Sequence, residues 1–146
     1  IADEPTTALD VTVQAQIIQI LGNLVREKGV ALMLITHDMG VVAQVCDRVA
    51  VLYAGRLAEE GAVAPIFAAP AHPYTSALIG CIPQEAMAKG ALRGIPGAVP
   101  SALAFPAGCR FHPRCDRASD LCRKTVPTTG PRGDGRVACH HPGALA

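Results

Sequence analysis

No tryptophan occurs in the chain, and aromatic residues make up only 3% of its 146 positions, with two Tyr and three Phe. Half of the residues are hydrophobic by type, many of them alanine, so any core has to be built from small aliphatic side chains. Long apolar runs are missing as well. None approaches the roughly 18 residues that a membrane-spanning helix needs. Charge is scarce, at 17% of residues with a net of +1, which excludes disorder driven by charge repulsion. It also leaves out the basic surplus of a general nucleic-acid binder. No signal peptide opens the chain, which begins at Ile1, and it is expected to be a piece of a longer protein.

The residues that are present divide unevenly. Positions 1–80 carry four Lys and Arg against eight Asp and Glu, a charge of −4. Positions 81–146 carry nine against four, a charge of +5, which restores the net +1. Proline and glycine crowd the second part, and regular hydrophobic patterning crowds the first. Three regions are expected: 1–61, a helical connector over 62–90, and a loop-rich extension over 91–146.

The first region alternates strand and helix. Ile1-Ala2 reads as the last step of a buried strand, with Asp3-Glu4-Pro5 where it leaves the sheet. Asp10 can cap a helix over 11–28, with Val13, Ile17, Ile20, Leu21 and Leu24 on one face, cations in the last turn and Gly29 as the stop. Residues 30–36 form a continuous apolar run, as expected for a strand covered on both faces. His37-Asp38 follows it, and Asp38 can cap a short helix through Cys46. Arg48–Tyr53 and Arg56–Glu60 read as a hairpin around Ala54-Gly55. Two strands joined by a helical crossover predict a parallel α/β sheet. In such sheets ligands sit at the carboxyl ends of strands, where both Asp3-Glu4 and His37 lie. A strand-end carboxylate can hold magnesium beside phosphates, a second can orient or deprotonate water, and an imidazole can donate to a phosphoryl oxygen. Taken singly, each short piece reads more readily as a turn or a polar helix flank, because short motifs recur by chance.

Together the pieces are more specific. Ile-Ala-Asp-Glu-Pro-Thr-Thr-Ala-Leu-Asp (1–10) resembles the Walker B strand end and D-loop of an ABC transporter ATPase, and Leu-Ile-Thr-His-Asp (34–38) resembles its switch-histidine strand. Cys46-Asp47-Arg48-Val49 and Tyr53-Ala54-Gly55-Arg56 fit the same family. The resemblance implies that Asp3 belongs to the magnesium sphere, that Glu4 is the base acting on water, that Asp10 lies on a loop crossing a dimer interface, and that His37 contacts the γ-phosphate. No G-x-x-x-x-G-K-[ST] loop occurs in the sequence, nor does that family's Q-loop or its Leu-Ser-Gly-Gly-Gln signature. By itself the chain is therefore expected neither to bind ATP tightly nor to hydrolyse it. Further on, His72-Pro73-Tyr74-Thr75 opens a helix with Pro at its first turn, after a short one begun at Pro65. With Gly108-Cys109-Arg110-Phe111-His112-Pro113-Arg114-Cys115, it resembles the C-terminal extension of the oligopeptide and dipeptide importer ATPases. That family implies ATP and Mg²⁺, and a P-loop ATPase sheet followed by the cysteine-containing extension. It also implies a second ATPase subunit, two membrane-spanning permease subunits, an extracytoplasmic peptide-binding protein, and a peripheral place on the cytoplasmic face of the membrane.

Six cysteines without an export signal fit a reducing compartment better than a disulfide framework. Cys46 and Cys81 fall in patterned helices and read as small apolar residues. Cys109, Cys115, Cys122 and Cys139 lie in a proline-rich stretch with little visible core, which suggests a metal centre that organises it. Their spacings are wider than those of a zinc knuckle. Four thiolates hold iron–sulfur clusters, and the related ATPases imply a four-iron four-sulfur cluster; Zn²⁺ stays open as the alternative, with His112, His140 or His141 able to replace a ligand. Arg110, Arg114, Arg117, Arg123 and Lys124 either offset an anionic cluster or form a solvated basic loop. Two other functions remain open on the residues: a stand-alone metal-binding or redox-sensing module, and an importer subunit of the same family for nickel or another solute.

Overall fold

The computed structural model describes residues 1–83 and 94–143. The chain divides into two compact units, Ile1–Cys46 and Asp47–Ala146. The end of the connector expected over 62–90 lies outside the described residues. Among the described residues, no helix is long and apolar enough to cross a membrane.

In the first unit, strand β1 (Ala2–Asp3) pairs in parallel with β2 (Leu34–Ile35), in the register Ala2 to Leu34 and Asp3 to Ile35. Helix α1 (Val11–Lys28) makes the crossover, and α2 (Met39–Val45) follows β2. The caps are those that the local chemistry predicts. The Val13 amide donates to the Asp10 carboxylate at 2.9 Å, and Gly29 closes α1 in the left-handed region at φ 61°. Two expectations hold only in part. The apolar run 30–36 forms a ladder only over Leu34–Ile35, because β1 offers two residues to pair with, and Met33 and Ile35 stay 62% and 46% exposed. On α1 it is Ile18 that is buried, while Ile20 and Leu24 face solvent. The expected face holds in part, with Val13, Ile17 and Leu21 half-buried, and α1 contacts α2, the Gln14 amide donating to Asp38 at 3.2 Å.

The second unit is an antiparallel sheet in the order β3-β4-β6-β5. Strands β3 (Arg48–Tyr53) and β4 (Arg56–Ala62) form the expected hairpin, with Ala54 and Gly55 both at positive φ, 48° and 75°. Strands β5 (Gly130–Arg132) and β6 (Gly135–Val137) extend it, where only a loop-rich extension was expected. Pro131 is tolerated because β5 is an edge strand. Gly135 is required where β6 crosses β4, since a Cβ there would lie 2.0 Å from the Glu60 carbonyl oxygen. A register shift in the hairpin makes Ala58 an extra residue in β4, so that Ala58 and Glu59, neighbours in sequence, are both buried. Short helices α3 (Val63–Ala68), α4 (Pro73–Gly80) and α5 (Asp120–Lys124) complete the unit; α3 begins two residues ahead of Pro65. Its centre is a cluster of Tyr53, Tyr74 and Phe111, with ring centroids 4.6–5.4 Å apart. So the scarce aromatics are concentrated where they bury most area.

Candidate functional site

Adjacent parallel strands bring Glu4 and His37 together from positions 33 apart. The Glu4 amide donates to the Ile35 carbonyl at 2.9 Å, which extends the β1–β2 ladder by one bond. From there the His37 Nδ1 lies 3.3 Å from Glu4 Oε1, and the Thr7 hydroxyl donates to Glu4 Oε2 at 2.9 Å. The Thr7 and His37 hydrogen bonds, in that order, hold the Glu4 carboxyl below its usual range, so it is ionised at neutral pH. Glu4 sits at φ 44°, a conformation that costs an ordinary residue of order 1–3 kcal/mol and that concentrates at functional sites. Asp3 is exposed at the end of β1. A single exposed carboxylate suits a magnesium ion held mainly by water and phosphate oxygens. Asp10 is occupied in capping α1. Asp38 is fixed by the Gly40 and Val41 amides at 2.8 and 3.2 Å, which sets the direction of the chain at His37.

In the second unit, Cys109, Cys115, Cys122 and Cys139 line one small cavity, together with His112, His140, His141 and Arg117. These four cysteines are thiols, with no disulfide between them. Burial pushes the Cys109, Cys115 and Cys139 thiols above their ordinary pKa. Gathering four thiols from positions spread over the last third of the chain is what a thiolate-bound centre needs. The spacing as it stands fits no single ion: among the described residues, no three His, Cys, Asp or Glu are grouped to hold one. The cavity has room for only about 10 Å³, one water at most. The four donors converge, and beyond that convergence nothing in the geometry of the described residues adds support for an iron–sulfur or zinc centre. The histidines are otherwise engaged. His112 Nδ1 is 2.9 Å from the Cys109 carbonyl, His140 Nε2 is 2.9 Å from the Thr125 carbonyl, and His141 Nε2 is 2.7 Å from the Ser119 hydroxyl.

The basic residues divide in the same way. The Arg114 guanidinium donates to the Ile95 and Pro96 carbonyls at 2.8 Å each and to the Tyr53 hydroxyl at 3.3 Å, so it ties the 95–97 segment to the hairpin. The Arg110 guanidinium donates to the Ala54 carbonyl and stacks 3.7 Å above the Phe105 ring. These two arginines are structural, because backbone carbonyls in bends need donors and both guanidinium forks reach them.

Residues 58–122 match the family described as the oligopeptide/dipeptide transporter, C-terminal region. The chain is 48% identical over 143 residues to the dipeptide transport ATP-binding protein DppD of Escherichia coli, covering 97% of this chain and 44% of that protein. The chain resembles the C-terminal part of the ATP-binding proteins of oligopeptide and dipeptide transporters. The oligopeptide transport ATP-binding protein OppD of Salmonella typhimurium is 49% identical over 127 residues, 87% of this chain and 38% of the relative. DppD of Bacillus subtilis is 48% identical over 137 residues, 94% and 41% respectively. The chain thus spans well under half the length of these transporter ATP-binding relatives. Their naming does not favour a stand-alone metal module.

Two buried polar residues, Glu59 and His72, hold the backbone at the start of α4. Glu59 is 4% exposed, and its carboxylate accepts from the Ala71 and His72 amides at 2.8 and 2.9 Å, ahead of α4. Nothing local predicts this, because strand alternation alone would not bury two neighbours. His72 is 3% exposed, and its Nδ1 accepts from the Tyr74 amide at 3.0 Å, capping α4; its place before Pro73 was the available signal. Burial lowers the His72 pKa to about 4. Above pH ~6.5 the ring is neutral in both folded and unfolded chains. Between ~6.5 and ~4 only the unfolded chain takes up the proton, so stability falls as pH falls, by about 3 kcal/mol in total. Urea unfolding at pH 7 and pH 4.5 is expected to show this loss, reduced in His72→Asn, which keeps a cap without the titration. Equal pH dependence in both proteins would refute the assignment.

Proposed function

We propose that this chain carries the hydrolytic residues of an ATP-binding subunit that powers uptake of dipeptides or oligopeptides. The observation that carries the reading is the Glu4–His37 pair, 3.3 Å apart at the ends of adjacent parallel strands. ATP is the substrate, and a phosphate-binding loop would have to come from sequence beyond these 146 residues. Bound Mg²⁺ would supply charge neutralisation at the phosphates, with Asp3 in its sphere. Glu4 accepts a proton from the attacking water as the oxygen–phosphorus bond forms and the bond to the bridging oxygen breaks, releasing ADP. His37 donates to the γ-phosphoryl oxygens, where charge accumulates. Asp10 shapes the loop that meets the second ATPase subunit. Two permease subunits and a peptide-binding protein complete the assembly, with the ATPases on the cytoplasmic face of the membrane. In a subunit that includes the phosphate loop, His37→Ala is expected to keep ATP binding and lower turnover by about 10²–10³. Turnover at the parental rate would remove His37 from the mechanism.

A second reading rests on the convergence of the four cysteines on one cavity. We infer that Cys109, Cys115, Cys122 and Cys139 hold one thiolate-bound centre, a four-iron four-sulfur cluster. A cluster spreads its thiolates more widely than a zinc ion, whose tetrahedral ligands sit about 2.3 Å from the metal. Protein prepared without oxygen is expected to be brown and to contain iron and sulfide. Serine at any one of the four should remove most of the colour, whereas Cys46→Ser and Cys81→Ser should keep it. Zinc in place of iron, or four thiols that all alkylate freely in folded protein containing no metal, would defeat the cluster.

A further inference from the structure

A second cavity in the 47–146 unit, of about 270 Å³, opens between the β3–β4 hairpin and the segment carrying Val126 and Pro127. Its walls are largely apolar, with Leu57, Phe111, Val126 and Pro127 among them. Arg56 and Arg110 also line it, and no Asp or Glu does. Arg110 is held in place by the Ala54 carbonyl and the Phe105 ring. Among the described residues its guanidinium, with five N–H donors, makes one hydrogen bond, to Ala54. Arg56 makes no ion pair among the described residues, unlike Arg48, Arg123 and Arg136, each of which pairs with a carboxylate. Two guanidinium groups line this largely apolar cleft beside His72 and Cys109, with no Asp or Glu among its lining residues, and make it a positive site. Guanidinium forks match a carboxylate in geometry as well as charge.

We propose that this cleft binds a small organic carboxylate with an apolar body, the acid group held by Arg56 and Arg110 and the body lying against Leu57, Phe111 and Val126. The volume is just below the usual range for drug-sized ligands, so the occupant is of about a dozen heavy atoms. A purely apolar ligand would leave the arginines unused, and inorganic phosphate would leave the apolar walls unused. The site stands on these contacts alone and does not depend on the ATPase reading.

The test uses the whole 146-residue chain, with 3-phenylpropanoate as the probe and 3-phenylpropanamide as its uncharged match. Binding is followed at the methyl resonances of Leu57 and Val126. The acid is expected to give saturable shifts at both residues, with a Kd of millimolar order or tighter. The amide should bind about tenfold more weakly, as for a lost charge-assisted hydrogen bond. Arg56→Gln should weaken the acid about tenfold and leave the amide unchanged; Arg56 is exposed, so the variant keeps its fold. Absence of saturable shifts, equal affinity for acid and amide, or acid binding insensitive to Arg56→Gln would each overturn the proposal.

Discussion

Glu4→Gln, introduced into a transporter ATP-binding subunit complete with its phosphate loop, is expected to bind ATP normally and to hydrolyse it about 10²–10⁴ times more slowly, the range for loss of a general base. Glutamine keeps the length of the side chain and can still accept from Thr7, which holds Glu4 Oε2 at 2.9 Å. What it loses is the ionised oxygen proposed to accept the proton of the attacking water. The carboxyl is held below its usual range by Thr7 and His37, so its role is better described as orienting water and receiving a proton late than as strong basicity. Single-turnover hydrolysis with binding measured in parallel separates the two effects. A Gln variant that turned over ATP at the parental rate would move the base elsewhere. Loss of binding together with loss of turnover would mean that the side chain shapes the loop rather than the chemistry.

Gly108→Ala is expected to destabilise the 47–146 unit by about 2–5 kcal/mol, the sum of left-handed backbone strain and steric overpacking. Gly108 adopts φ +67°, and a Cβ built there would lie 2.3 Å from the Cys122 carbonyl oxygen and 2.8 Å from the Arg123 carbonyl carbon. Those neighbours are backbone and cannot swing aside. The same approach lets the Cys109 amide donate to the Cys122 carbonyl at 2.8 Å, which brings two of the four cysteines together. Gly133→Ala is the control, since Gly133 has φ +56° with nothing within 4 Å of its added Cβ. It should cost only the backbone strain, about 1–2 kcal/mol. Urea denaturation of both variants decides the matter. Equal losses would mean that the contact at Gly108 relaxes freely.

The acidic and histidine motifs of the first unit were legible because their chemistry is local: a carboxylate pair leaves one strand, and a histidine leaves another. That Glu4 and His37 meet follows from the parallel register of β1 and β2. The distance between them could not be read from residue types. Nor could the positive φ of Glu4, because nothing about a glutamate favours that region. The cysteine site was legible by composition and not by geometry. Four thiols were expected to share a centre, and they share a cavity whose shape depends on the Gly108 crossing and on which carbonyls hold His112 and His140.

Sequence alone determined the pieces whose signals lie within one turn or one hairpin. Helix α1 runs from Val11 to Lys28 because Asp10 caps one end and Gly29 closes the other. The hairpin turns at Ala54-Gly55, and α4 starts at Pro73 with His72 ahead of it. Tertiary structure decided everything that needs a distant partner. Strand β2 is two residues long because β1 supplies only two to pair with, and β5–β6 join the hairpin because Gly135 lets β6 approach the Glu60 backbone. Glu59 turns inward because the register shift makes Ala58 an extra residue and the amides ahead of α4 meet its carboxylate. Caps and turns draw their energy from neighbours in sequence, so they can be read from it. Pairing, register and burial draw theirs from residues tens of positions away, and only the folded chain fixes which ones those are.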